Sequence, residues 1–395
     1  MKSVAIVGAS LAGARAAQEL RAQGFDGRVV LVGAEPHLPY DRPPLSKAFL
    51  AGTAERESLD LLDADDTASL ELRLGTRAER LDAAAGRLVL SDGGDLAVDG
   101  VVLATGGRAR TLPGTEGVAG VHVLRTLDDA LALRAELVAG ARVVIVGAGF
   151  IGAEVASTCR ALGLDVTVLE ALATPLERVL GPQLAEVCSR LHDRHGTVLR
   201  CGAAVDELVT AGGRVTGVRL VGGEELSADV VVVGIGMVPA TEWLAGSGLE
   251  VDNGVHVSSG LVTALPNVVA AGDVAAYRSA AHPSEKIGRR HRHEHWTNAS
   301  EQAGVAVANL LAGTTTRHYT PSGYVWSDQY EGTLQLAGHP EPGDEVVFTE
   351  GGPDDPAFVA TYQRNGVTVG VFALNSAKQF TRLRRQALRR PAPVA

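Results

Sequence analysis

Twice in this chain a short apolar run enters a glycine-rich turn, continues as an alanine-rich stretch, passes another glycine and returns as a second apolar run followed by a carboxylate. The copies are SVAIVGASLAGARAAQELRAQGFDGRVVLVGAE at 3–35 and ARVVIVGAGFIGAEVASTCRALGLDVTVLEA at 141–171. Short Val- and Ile-rich runs without polar alternation read as strands buried on both faces, and parallel neighbours of that kind need a crossover helix. A chain carrying the unit twice is therefore expected to be α/β, with a doubly wound parallel sheet for each copy. VDGVVLATG (98–106) and ADVVVVGIG (228–236) are further buried-strand runs ending on glycine, and PNVVAAGDVA (266–275) follows them. From about residue 318 the pattern changes to alternation with hairpin signals such as Arg364-Asn365-Gly366, which predicts an α+β unit of antiparallel strands closed by a basic helix.

In the second copy Gly147, Gly149 and Gly152 form G-x-G-x-x-G. The first glycine permits the tight turn, the second admits a pyrophosphate to the backbone amides of a helix N-terminus, and the third lets helix and strand pack closely. Glu170 follows 18 residues after Gly152, at the end of the next apolar run, where a carboxylate accepts hydrogen bonds from a ribose diol. That context predicts a dinucleotide site. A 2′-phosphate about 4 Å from Glu170 would meet roughly 4 kcal/mol of repulsion at an effective dielectric near 20. Ala171, Leu172 and Ala173 offer no arginine to offset it, so NADH is expected over NADPH. The first copy reads Gly8-Ala9-Ser10-Leu11-Ala12-Gly13, with Ser10 in place of the middle glycine and Glu35 closing the second strand as the ribose acid. A serine hydroxyl still admits a phosphate and adds a donor. Two such sites in one chain suit a protein in which one dinucleotide reduces another.

Residues 36–47, PHLPYDRPPLSK, hold four prolines. Prolines lower the entropy of an open loop, so Arg42 and Lys47 stay aimed at an anionic ligand. Bulk properties narrow the rest. At 395 residues, two or three domains are expected. A net charge of −10 argues against general nucleic-acid binding. Cys159, Cys188 and Cys201 sit far apart with no CxxC, so no disulfide framework, redox dithiol or cysteine-ligated cluster is encoded, and any redox centre is borrowed. Without a signal-like start or a long apolar span, a cytoplasmic chain is expected. His291, His293 and His295 alternate and would share one strand face, a spacing that could ligate zinc. Arg289, Arg290 and Arg292 beside them would repel a cation, so the expectation is an exposed basic loop and no metal.

The segments GASLAG, YDRPPLSK, ATGGR, VLRTLDDA, VGAGFIGAE, GIGMVP, AAGDVA, EHWTNA and WSDQY occur in the order seen in a known family. From about residue 3 to about 385 the chain resembles the FAD-dependent ferredoxin reductases of haem monooxygenase and Rieske-type dioxygenase systems, the putidaredoxin-reductase-like group. The resemblance implies a glutathione-reductase-like architecture: an FAD-binding domain in two segments, 1–110 and 235–317, an NADH-binding domain at 111–234, and a C-terminal α+β interface domain at 318–395. It implies that the proline loop covers the flavin, with Arg42 on the FAD phosphates and Lys47 near the isoalloxazine. Asp273, after Gly272, matches the acid on the ribityl chain. Arg125 and the backbone of Ala78 match further FAD contacts, and Trp296 matches the residue beside the flavin ring. Ala12, Thr105, Gly106, Ile151 and Gly236 fall in motifs implied to line the cofactors. Glu154 matches an acid near the nicotinamide that would pair with Lys47, and these two are the residues implied to orient and compensate charge during catalysis.

The implied reaction is hydride transfer from NADH to FAD and then single-electron transfer to a small iron–sulfur ferredoxin, with no residue acting as nucleophile. An acidic ferredoxin would be steered by Arg289, Arg290 and the C-terminal arginines Arg382, Arg384, Arg385, Arg389 and Arg390. Disulfide reductases and NADH peroxidases need a cysteine over the flavin, and residues 36–60 contain none. A monodehydroascorbate-type reductase and a redox-responsive NADH-binding flavoprotein like apoptosis-inducing factor remain as alternatives.

Overall fold

The computed structural model describes residues 1–278 and 290–388. Arg289, Arg389 and Arg390 lie outside the described residues. Among the described residues three five-stranded sheets carry the architecture, accompanied by smaller sheets of two or three strands.

The first sheet is built around β1 (Ser3–Val7), with β2 (Arg28–Val32) and the Gly100–Leu103 strand parallel on either side. Val4, Ala5 and Ile6 have no exposed surface, as expected of a central strand covered on both faces. The Val268–Ala270 strand completes one edge by pairing with Gly100–Leu103, so this sheet draws on two stretches of chain separated by the whole second sheet. β2 ends at Val32, and Glu35 stands three residues beyond it in the following bend rather than closing the strand. Helix α1 (Leu11–Ala22) crosses over from β1 to β2.

The second sheet repeats the plan with β3 (Arg142–Val146), β4 (Asp165–Glu170) and β5 (Val198–Cys201), joined by helices α2 (Phe150–Ala161) and α3 (Glu177–Arg194). All its pairings are parallel, and Val230–Val233 takes the place that Gly100–Leu103 has in the first sheet. Helix α4 (Trp296–Ala312) returns to the first unit and packs against α1.

The third sheet is antiparallel and begins with the hairpin of β6 (Val325–Gln329) and β7 (Gly332–Gly338). Its Asn365-Gly366 turn has φ of 52° and 75°, the double positive φ of a two-residue hairpin loop that this dipeptide favours. One face packs on α3 through Leu180, Leu184 and Leu191 against Leu334, Phe358 and Phe372. The other is covered by helix α5 (Ala377–Leu388), whose Phe380 is buried against Val359 and Val371. The expected class, two doubly wound sheets plus an α+β unit with a basic terminal helix, is the one found.

The described part of the basic stretch before Trp296, residues 290–295, departs from the exposed loop expected there, residues 284–289 lying outside the described residues. Arg290 is half-buried and donates through Nη1 to the carbonyls of Val257 and Ala276, 2.6 and 3.4 Å away. The Arg292 side chain is 10% exposed and pairs with Glu294 at 2.7 Å. Both guanidiniums serve backbone carbonyls or a local acid rather than solvent. His291, His293 and His295 do share a face, with successive rings stacked 6.0 and 6.3 Å apart.

Candidate cofactor and hydride-transfer site

The outer glycines of both turns are required by the fold itself. A Cβ on Gly8, at φ +117°, would lie 2.1 Å from the Ala104 carbonyl oxygen, and one on Gly13 would lie 1.8 Å from that of Gly8. In the second unit, Gly147 at φ +102° would meet Gly234 at 2.4 Å, and Gly152 would meet Gly147 at 2.0 Å. Gly149 is different. Its backbone is extended (φ −72°, ψ −178°), which any residue adopts, and a Cβ there meets nothing within 4 Å. The open space before it is a cradle that a side chain would fill. Ile151, in the first turn of α2, is 46% exposed.

Both turns open helices whose N-termini are left bare. Neither Ser10 nor Gly149 makes a side-chain cap, and neither α1 nor α2 has an acid in its first turn. The helix Leu127–Glu136, by contrast, has a full capping box from Thr126 and Asp129. Free amides and the positive end of the helix dipole are what a phosphate anion takes. The residues present therefore fit a pyrophosphate at each turn.

Glu170 is pinned at the lip of the second turn, its two oxygens accepting from the amides of Ala148 (3.0 Å) and Leu172 (2.9 Å). Arg200, on neighbouring β5, is already engaged by both oxygens of Glu224 at 2.6 Å. Nothing in that geometry supplies a cation for a 2′-phosphate.

Around the first turn the proline loop folds back over α1. Arg42 donates from Nε to Ser10 Oγ (3.0 Å), from Nη2 to Glu35 (2.7 Å) and from Nη1 to the Arg125 carbonyl. Ser10, the residue in place of the middle glycine, is thus the point at which the loop is held. Tyr40 Oη donates to Glu35 at 2.5 Å and accepts from the Leu127 amide at 2.7 Å. Burial, only partly offset by Arg42, lifts the Tyr40 hydroxyl well above its ordinary range and keeps it a donor. Arg125 pairs with Asp273 at 3.0 Å, and the neighbouring Gly272, at φ +79°, packs so close to Ala12 that a Cβ there would lie 2.9 Å from the alanine's. Trp296 Nε1 donates to Asp41 at 2.7 Å, and its ring meets Trp326 edge-on at 5.8 Å. Thr105 Oγ1 donates to the Ala240 carbonyl, tying together the strands on which Gly106 and Gly236 turn with positive φ. Ala78 stands apart from this cluster in the sense that it opens a separate strand, paired with Leu90.

The two units meet at Lys47 and Glu154. Lys47 Nζ lies 2.8 Å from Glu154 Oε2, with side-chain exposures of 21% and 4%. Ser46 Oγ donates to the same oxygen at 2.5 Å, and Ser327 Oγ, from β6, donates to Oε1 at 2.7 Å. Thr158 Oγ1 donates to the Ser46 carbonyl at 2.7 Å and so binds α2 to the loop. A buried carboxylate is tolerable only when paired and hydrogen-bonded, and both conditions hold here. The pairing of Lys47 with Glu154 was expected; Ser46, Ser327 and the Ser10–Arg42 contact were not. No local pattern marks them, because each is defined by a partner remote in the chain.

The cysteines sit elsewhere. Burial pushes the thiols of Cys159, on α2, and Cys188, on α3, up to about 12, and Cys201 is exposed on β5. None is on the proline loop.

Residues 2–303 match the family Pyridine nucleotide-disulphide oxidoreductase, and residues 324–394 match Reductase C-terminal. The chain is 42% identical over 339 residues to rhodocoxin reductase from Rhodococcus erythropolis, covering 85% of this chain and 78% of that one. It is 39% identical over 383 residues to the ferredoxin–NAD(+) reductase component of the anthranilate 1,2-dioxygenase system from Burkholderia cepacia, covering 96% and 92%. Among solved structures, the covalent putidaredoxin reductase–putidaredoxin complex matches with a TM-score of 0.91 and 36% identity, over 98% of this chain and 93% of that one. Since these matches run through all three sheets, the chain belongs to the pyridine nucleotide-disulphide oxidoreductase family, among its ferredoxin reductases.

Proposed function

We propose that this chain is an NADH-dependent ferredoxin reductase, carrying FAD and delivering electrons one at a time to a small iron–sulfur ferredoxin that supplies a haem monooxygenase or Rieske-type oxygenase. The observation that carries this reading is the Lys47–Glu154 pair, buried where the two glycine-turn units meet and with no cysteine on the loop beside it. Bound FAD supplies the conversion from two-electron to one-electron transfer.

The chain's own residues position and compensate. In this reading segments 1–110 and 235–317 hold FAD: the α1 amides and Ser10 take its pyrophosphate with Arg42, Glu35 takes the adenosine ribose, and Asp273 with Arg125 takes the ribityl side. Thr105, Gly106, Gly236 and Ala78 shape its walls, and Trp296, held by Asp41, covers one edge of the ring pocket. Segment 111–234 holds NADH, its pyrophosphate in the Gly149 cradle and its ribose on Glu170. Lys47 offsets negative charge arriving with the hydride, and Glu154 keeps that lysine in place. An anaerobic absorbance titration of the purified yellow protein with NADH, followed by cytochrome c reduction with and without ferredoxin, tests the reading. Cytochrome c reduction should require the ferredoxin. A colourless protein that cannot be reconstituted with FAD would overturn it.

Two further outcomes are expected. kcat/KM should favour NADH over NADPH by at least about 100-fold, and Glu170→Ala should narrow that gap mainly by improving NADPH. Steady-state rates with both cofactors measure it. On α5, Lys378, Arg382 and Arg385 recur at helical spacing on one exposed face, while Arg384 stacks instead 4.3 Å over the Tyr324 ring. We place ferredoxin docking on that face, since Arg290 is spent on backbone carbonyls. Arg382→Glu with Arg385→Glu should raise the KM for ferredoxin about tenfold at low salt and flatten its salt dependence, leaving NADH-driven dye reduction unchanged.

A further inference from the structure

We infer that Ser327, supplied by the C-terminal sheet, is a positioning residue for hydride transfer: it holds one oxygen of Glu154 so that the other is left for Lys47. The inference rests on the proposed role of that pair. Glu154 is 3% exposed and cannot turn to water for a missing donor. Its Oε2 is taken by Lys47 and Ser46, both from the proline loop, and its Oε1 by Ser327. Take away the Ser327 hydroxyl, and Oε1 loses the donor the structure gives it, which favours rotation of the carboxylate toward the donors of the loop. The two loop donors would then be shared between two oxygens, and Lys47 Nζ would move with them.

The hydroxyl is itself aimed. Ser327 has no exposed surface, and its oxygen accepts from Gln329 Nε2 at 3.1 Å, which turns its own proton toward Glu154. Asp328, between them, alternates to the opposite face and accepts from Thr333 Oγ1 at 2.9 Å, so β6 turns no competing charge toward Glu154. The same hairpin grips α2 a second time. At its tip the Tyr330 amide, at φ +56°, donates to Ser157 Oγ at 2.6 Å, and Tyr330 Oη donates to Thr197 at 2.8 Å. β6 is thereby kept in register with the helix that carries Glu154. The C-terminal sheet is then part of the hydride site as well as a cover over α3.

The test is anaerobic stopped-flow reduction of the FAD-loaded protein by NADH, analysed as a double-mutant cycle. Ser327→Ala should lower the limiting rate of flavin reduction about tenfold with the Kd for NADH within about twofold, and Ser327→Thr, which keeps the donor, should stay within about threefold of the parent. Placed on Lys47→Met, Ser327→Ala should add less than about twofold, because the lysine it positions is gone. If Ser327→Ala does not retain FAD, Gln329→Met, which leaves the hydroxyl unaimed, takes its place in the cycle with the same expectation. A limiting rate in Ser327→Ala equal to the parent's, or a full tenfold loss on top of Lys47→Met, overturns the inference while the reductase reading stands. Should Lys47→Met itself reduce at the parental rate, the assigned hydride site falls and this inference with it.

Discussion

Gly149→Val should give a folded, yellow protein that has nearly lost its affinity for NADH. At φ −72° and ψ −178° valine is unstrained, and the new side chain enters space that, apart from the adjoining residues of the turn, holds no protein atom within 4 Å of its Cβ. The cost to the fold is then only that of exchanging one uncapped N-terminus for another, about 1 kcal/mol or less. The space it fills is the one assigned to the pyrophosphate, and a branched side chain bars close approach to the α2 amides. The Kd for NADH should rise at least about 100-fold, some 2.7 kcal/mol, with the flavin spectrum and thermal midpoint nearly unchanged. Gly152→Val is the control whose effect falls on the fold instead of the ligand. Its Cβ would press within 2.0 Å of the Gly147 carbonyl oxygen, so it should be destabilised or insoluble rather than selectively impaired. Isothermal titration and thermal melts separate the two. If Gly149→Val binds NADH as the parent does, the cradle belongs to another ligand or to none.

The second large effect is expected from Lys47→Met. Methionine keeps much of the aliphatic stem but removes the charge, leaving Glu154 at 4% side-chain exposure with two serine hydroxyls and no counter-ion. Breaking a buried pair from one side costs about 3–5 kcal/mol, and the surviving hydroxyls and the partial exposure of Lys47 place this case near the lower end. Flavin reduction by NADH should slow about 100-fold through loss of charge compensation, with the Kd for NADH changed little, since Lys47 is not assigned to the nucleotide. Urea denaturation reads the first effect and stopped-flow absorbance the second. A stable variant reducing at the parental rate would show the pair to be a structural tie between units and nothing more.

Much of this protein could be read along the chain. The doubled strand–turn–helix pattern marks both parallel sheets, because apolar runs and glycine placement act over a few residues and depend on little beyond them. Asn365-Gly366 marks its hairpin for the same reason. The charge run at 289–292 reads identically whether its arginines meet water or carbonyls, and only the approach of Val257 and Ala276 turns Arg290 inward. Glu35, placed at a strand end by analogy with Glu170, stands beyond β2 because its carboxylate reaches Arg42 and Tyr40 from the bend.

By itself the amino-acid order determined which segments become strands, which turns must be glycine and where helix ends are left uncapped for phosphate, since each is settled by sterics and hydrogen bonding among near neighbours. Tertiary structure alone decided that Ser46 from the loop and Ser327 from β6 join Lys47 on the buried Glu154 carboxylate, the last contact spanning 173 residues. A hydroxyl or an ammonium carries no record of its partner in its own vicinity; the partner is chosen when the sheets pack, because an isolated charge in that interior would be too costly to leave unmet.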